Sequence, residues 1–266
     1  MNPIPFPDPQ NLPRLDHHQL LSLQGKQPPP VLVVGMHNSG TSMLTEILHE
    51  SGIFFGANMR HQESYFFSSF INDRLILGGG DAWAQLPLLS VEKVLSYQQT
   101  IAPFVKSHWL ADYLQWGYDG TSRWGVKDPR LCILLPLYLK IFPEATVVHI
   151  RRDANDVAAS LTMKYKQGVG ILTDFEHWKA LAHAYTKRVK EYAPSCKRYV
   201  QVQYEDFCRH PHQQAAELFN TLELPFSSHT EQLLATVTAS RIGSYQRWLA
   251  AKETPLLAKL TKIFRG

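Results

Sequence analysis

Residues 35–42 read Gly35-Met36-His37-Asn38-Ser39-Gly40-Thr41-Ser42, directly after the apolar run Val31-Leu32-Val33-Val34. Two glycines followed by hydroxyls make a loop whose backbone N–H groups and side chains can cradle an anion where a helix begins. The frame is GxxxxGK[ST], the phosphate loop of nucleoside-triphosphate enzymes, with Thr41 in the lysine position. In those enzymes the lysine meets the β- and γ-phosphates and the next hydroxyl holds Mg²⁺. No apolar strand of this chain ends in a clear metal-binding Asp, because Arg151 and Arg152 precede Asp153. The loop therefore points to a differently charged phosphate group and away from triphosphate chemistry.

A second cluster follows the run Thr146-Val147-Val148-His149-Ile150. In Arg151-Arg152-Asp153-Ala154-Asn155-Asp156-Val157-Ala158-Ala159-Ser160, the residues Arg152, Asp156 and Ser160 stand four apart and share one helix stripe. An arginine and a hydroxyl at the carboxyl end of a strand make a second phosphate site, with Asp156 placed to hold Arg152. The same spacing also describes an ordinary surface ion pair.

Positioning both clusters requires alternating strands and helices. Val31–Val34 and 146–150 are continuous apolar runs of the kind buried on both faces of a parallel sheet. Val200, Val202 and Tyr204 alternate as a third strand. Met43, Leu44, Ile47 and Leu48 recur at helical spacing before Gly52, and Val157, Ala158 and Leu161 point inward from the next helix. Further helices are predicted near 91–115, 174–193, 212–222, 229–240 and 246–264. Strands separated by helices mean an α/β fold of three αβα layers around a mostly parallel sheet, with helical insertions. The expected organisation is a proline-rich extended leader over 1–30 and a single domain over 31–266, with 54–120 as a helical, aromatic-rich region. At 266 residues, 44% hydrophobic and 19% charged, the chain can bury a full core and is not disordered throughout. Its 27 basic against 23 acidic side chains leave a net charge of +4, which suits a small anion as well as nucleic acid. Three distant cysteines, Cys132, Cys196 and Cys208, form neither a zinc pattern nor a disulfide framework. No membrane span or signal sequence is read, and the expected location is the cytoplasm.

Taken together, the two clusters resemble the PAPS-dependent sulfotransferases, and most closely the broad group of small soluble enzymes found in bacteria. Ser39-Gly40-Thr41-Ser42 matches that family's lysine-free loop, and Arg152, Asp156 and Ser160 match its later R-x₃-D-x₃-S segment. Trp124-Gly125-Val126-Lys127-Asp128-Pro129-Arg130 and Val202-Gln203-Tyr204-Glu205-Asp206-Phe207 resemble it too, so the likeness runs over roughly residues 31–250. The resemblance implies transfer of a sulfuryl group from 3′-phosphoadenosine-5′-phosphosulfate (PAPS) to an acceptor hydroxyl, without a metal. The loop, His37 to Ser42, would hold the phosphosulfate. Arg152 and Ser160 would hold the 3′-phosphate, with Arg241 as a second cation there. Lys127 would be the catalytic cation, with Arg130 as a structural anchor. Asn38 departs from the family, whose members mostly carry Arg or Lys there; an amide donates hydrogen bonds but no charge, and His37 or Lys127 would have to compensate. The base that takes the acceptor proton is ranked Glu63, then His61, then Asp73, because Pro129 fills the slot of one family histidine and Phe67 that of an acidic residue.

Aromatics crowd residues 54–120, among them Phe54, Phe55, Phe66, Phe67, Trp109 and Tyr113. They can line a pocket for a small ring-containing or sugar-like alcohol, such as a secondary metabolite, or form the core of an insert. The last helix sets Leu256, Leu257 and Leu260 against Lys252, Lys259 and Lys262, which suits either docking on the fold or a membrane surface. Two other functions fit parts of the pattern: a nucleotide-dependent kinase with a degenerate loop, and a nucleotide-binding module without turnover. The 3′-phosphate motif speaks against the first and Lys127 against the second; nucleic acid is not the expected partner.

Overall fold

The structure is a computed structural model and describes residues 17–56, 63–78, 83–165 and 174–251. Four parallel strands form its centre: β1 (Val31–Val34), β2 (Gly125–Lys127), β3 (Thr146–Arg151) and β4 (Arg198–Gln203), in spatial order β2-β1-β3-β4. The helices are α1 (His17–Leu23), α2 (Thr41–Glu50), α3 (Asp73–Gly78), α4 (Val91–Ser96), α5 (Gln98–Gln115), α6 (Leu131–Ile141), α7 (Ala154–Lys164), α8 (Phe175–Tyr192), α9 (Tyr204–Arg209), α10 (Pro211–Leu222) and α11 (Ser228–Ala235). A π-helical turn, Phe66–Asn72, runs directly into α3.

The strand period of two divides the core. Leu32, Val34, Val126 and Val147 pack with α5, α6, α7 and α8 on one face. Val31, Val33, Val148, Ile150 and Val202 pack with α2, α9, α10 and α11 on the other. Hence every residue of β1 is buried, and the architecture is the expected three-layer α/β fold with a parallel sheet. The stripe Trp178, Leu181, Ala182, Tyr185 and Val189 is buried on α8, as its spacing predicts. Among the described residues, no helix is long and apolar enough to cross a membrane.

Several elements differ from their sequence reading. The predicted helix over 91–115 is two helices that meet at Tyr97. Tyr204 opens α9 instead of ending a strand. The run from Leu131 to Ile141 is helical despite Pro136, and all but Lys140 of it is buried. A helix apolar on every side belongs inside the fold, so its sequence carries no amphipathic period to read. Within the proline-rich segment, α1 sets Leu20 and Leu23 against the core, and the Pro28 carbonyl accepts a hydrogen bond from Trp124 Nε1 at 2.8 Å. Residues 244–251 are helical; the rest of the basic C-terminal stretch, residues 1–16 and His61 lie outside the described residues.

The topology gathers the motifs. Since all four strands run the same way, the segments following β1, β2, β3 and β4 emerge at one edge of the sheet. β1 pairs with β2 on one side and β3 on the other, and the crevice between such diverging connections is where open α/β sheets take ligands. The register sets Lys127 opposite Val33, two residues before the glycine loop.

Candidate active site

The loop Gly35–Gly40 turns sharply between β1 and α2, and its glycines are needed for space. A Cβ on Gly35 would stand 2.6 Å from the Ile150 carbonyl oxygen, and one on Gly40 would run into the Tyr204 ring. Gly40 also has φ 98°, in the left-handed region that glycine tolerates best. It precedes α2 and, as a glycine, brings no side chain to cap the start of that helix, where backbone N–H groups lack intrahelical acceptors. The contrast with α7 is sharp. There Asp153 accepts hydrogen bonds from the Asn155 and Asp156 N–H groups and closes the helix end to an anion. Ser39 Oγ, on a residue 1% exposed, is buried without a hydrogen-bond partner.

Asn38 joins the loop to the second motif. Its φ of 61° lies in the left-handed region where Asn is tolerated, and its side-chain amide donates to Ser160 Oγ at 3.1 Å. Its carbonyl accepts from Arg152 Nη1 at 2.8 Å. Residues 122 positions apart in sequence thus share one site. Arg152 lies over the Tyr204 ring at 4.6 Å, and its Nη2 donates to Ser244 Oγ at 2.7 Å. Its Nε is buried and has no partner. Asp156 stands 3.7 Å from Arg152, but its two oxygens accept the backbone N–H groups of Gly243 and Tyr245, both at 2.9 Å. That carboxylate therefore pins the segment after the α11 region against Arg152. Arg241 turns its guanidinium to the Thr236 carbonyl, and Arg247 is the cation that shares Ser244 with Arg152, at 3.1 Å. Ser39 and Arg152 also border a cavity of about 490 Å³ at the carboxyl ends of β1, β3 and β4.

On the other side of the loop, Lys127 is 2% exposed. Its Nζ donates to Ser42 Oγ at 3.2 Å and to Glu63 Oε1 at 2.8 Å. Burial pushes the Lys127 ammonium below the ordinary lysine value, and the Glu63 carboxylate pulls it partly back. Burial likewise pushes Glu63 up, against the pull of Lys127. The third base candidate, Asp73, is bound by the Arg130 guanidinium instead. Arg130 also grips Asp128 through Nε at 3.0 Å and Nη2 at 2.9 Å, which makes it a brace for the segment after β2. The aromatic region is mainly core: Phe67, Tyr113 and Trp124 are fully buried, and Trp109 stacks on Trp124 at 3.6 Å. His37 stacks on Trp83 at 3.9 Å.

Three parts of this site have no signature in the sequence: the Asn38–Ser160 link, the hold of Asp156 on Gly243 and Tyr245, and Ser244. Each depends on contacts between distant segments. The one available hint was the anomalous Asn38, a residue type suited to positive φ.

Comparison with known proteins bears on the family and the fold. The model of the "Sulfotransferase family" matches residues 29–228. No curated protein matches the chain. Among solved structures, the sulfotransferase domain of the Synechococcus PCC 7002 olefin synthase is similar, with a TM-score of 0.52 at 16% identity over 82% of this chain and 81% of that one. The sulfotransferase domain from the curacin biosynthetic pathway gives 0.50 at 15% identity over 78% of each chain. Likeness at such identities concerns the fold; the family match spans three-quarters of the sequence, including both phosphate-type motifs and Lys127, and by it the chain belongs to the sulfotransferase family.

Proposed function

We propose that the chain moves a sulfuryl group from PAPS to the hydroxyl of a small-molecule acceptor and releases adenosine 3′,5′-bisphosphate. The observation that carries this reading is the place of Lys127. Its Nζ stands between Ser42, in the first turn after the glycine loop, and Glu63. One ammonium group thus lies next to the anion cradle and next to a carboxylate able to take a proton.

The residues fit the donor. The uncapped start of α2, with Thr41 and Ser42, would hold the 5′-phosphosulfate, and Arg152 with Ser160 and Asn38 would hold the 3′-phosphate. The unpartnered Arg152 Nε and Ser39 Oγ are donors of the kind such a ligand would satisfy. When bound, PAPS supplies a sulfur centre that undergoes in-line displacement, a reaction in which position and charge stabilisation do most of the catalysis. Lys127 meets the negative charge that grows on the bridging oxygen. Glu63, kept less acidic by burial, accepts the acceptor's proton. Asn38, Arg152 and Ser160 contribute orientation at a distance from the reacting atoms.

Incubation with sulfur-labelled PAPS and a panel of alcohols, phenols and sugars checks the reaction. Label should move to at least one small hydroxyl compound with equal release of the bisphosphate. Tight binding of the bisphosphate with no transfer to any member of the panel would instead indicate a binding module.

A further inference from the structure

Glu63 is held from both sides. While Oε1 accepts from Lys127, Oε2 accepts from Ser68 Oγ at 3.3 Å. The same Ser68 Oγ accepts from Arg130 Nη2 at 2.8 Å. A hydroxyl has a single hydrogen. With the guanidinium donating to its oxygen, Ser68 directs that hydrogen to the carboxylate.

The groups behind Ser68 are tied to one another. Arg130 is fixed on Asp128, a fully buried residue. Asp128 also accepts from Asn72 Nδ2 at 2.9 Å, and Asn72 Oδ1 accepts from Tyr138 at 2.6 Å. The π-helical turn makes the cluster possible. Its wider winding, closed by the Asp73 N–H on the Ser68 carbonyl, brings Ser68, Asn72 and Asp73 to the Arg130–Asp128 pair. Such turns are rare and concentrate at functional sites.

We propose that Ser68 is a positioning residue of the transfer reaction: backed by Arg130, it fixes the Glu63 carboxylate so that one oxygen is presented beside Lys127 for proton transfer. The proposal rests on Glu63 being the base. The charged groups that face Glu63 are Lys127 and Arg130, which favour its ionised form, and Asp128, which opposes it. Losing the Ser68 hydroxyl removes one further interaction with the ionised form, so the base becomes harder to deprotonate.

The test compares pH profiles of kcat/KM for the wild type, Ser68→Ala, Ser68→Thr and Glu63→Gln, with the bisphosphate thermal shift as a check on folding and donor binding. The acid limb of Ser68→Ala should move up by about half a pH unit to one unit, the size of one hydrogen bond to the charged form. Its kcat should fall more than its KM for PAPS rises, and Ser68→Thr, which keeps the hydroxyl, should restore the limb. If Glu63→Gln is inactive while Ser68→Ala keeps the wild-type profile, the role of Ser68 is refuted and the base stands. If Glu63→Gln keeps its rate, the base reading falls and the Ser68 proposal falls with it.

Discussion

Lys127 carries opposing demands. Burial disfavours its charge, Glu63 partly offsets that, and the proposed reaction needs the charge near the glycine loop. Truncating a charge-stabilising donor typically costs about 10²–10³ in kcat, or about 2.7–4 kcal/mol, and Lys127→Ala should lose that much while still binding the bisphosphate. Loss of bisphosphate binding in a folded Lys127→Ala protein would move Lys127 from chemistry to donor binding. Glu63 gives a pH prediction. Its folded value lies above the ordinary 4.5, so activity should be complete above that raised value and decline as the pH falls through it. An acid limb at or below 4.5 would mean that another group takes the proton. Arg152 gives a ligand prediction. Arg152→Ala should weaken adenosine 3′,5′-bisphosphate much more than adenosine 5′-phosphate, and equal losses would show that Arg152 does not meet the 3′-phosphate.

At the scale of elements, the glycine loop works only because its backbone approaches Ile150 and Tyr204 so closely. Gly40→Ala forces a Cβ into the Tyr204 ring at a left-handed φ, a strain of about 1–3 kcal/mol before the steric contact is counted. Thermal unfolding should show this loss, together with a blunted response to the bisphosphate; an unaltered Tm would disprove the tight packing. In β3, His149 is buried with Nδ1 against the Tyr199 hydroxyl, and burial with nearby Arg151 holds its pKa down to about 3. The unfolded chain binds that proton below its ordinary 6.5 and the folded chain does not. Stability from this residue is therefore lost from pH 6.5 downward, by about 1.4 kcal/mol per pH unit at most. His149→Gln should flatten the fall of Tm between pH 6 and 4. What could be read beforehand divides along the same lines. β1 and β3 were legible because strands buried on both faces are written as unbroken apolar runs. The loop and the Arg152–Ser160 stripe were legible because their spacing is local. The π-helical turn and α6 were not: the first depends on a one-residue change of winding, and the second has no polar face.

Across the whole molecule, parallel strands bring four separated segments to one edge, and this is what turns a net charge of +4 into a site. Few cations belong to the proposed site. Lys127 stands at one end of the crevice, and Arg152 with Arg247 near Ser244 at the other. The family resemblance suggested Arg241 for the second role; in the fold Arg241 and Arg247 are both exposed, and it is Arg247 that donates to Ser244, on the stretch of chain held by Asp156. On the proposed function, these two ends form one site for a nucleotide carrying both 5′- and 3′-phosphates. Thermal unfolding of the full chain with adenosine 3′,5′-bisphosphate or with ATP·Mg²⁺ addresses it most directly. At about 100 times its Kd the bisphosphate should add roughly 2.7 kcal/mol and raise Tm by several degrees, with ATP·Mg²⁺ giving little. A rise with ATP·Mg²⁺ and none with the bisphosphate would mean that the crevice takes a triphosphate instead.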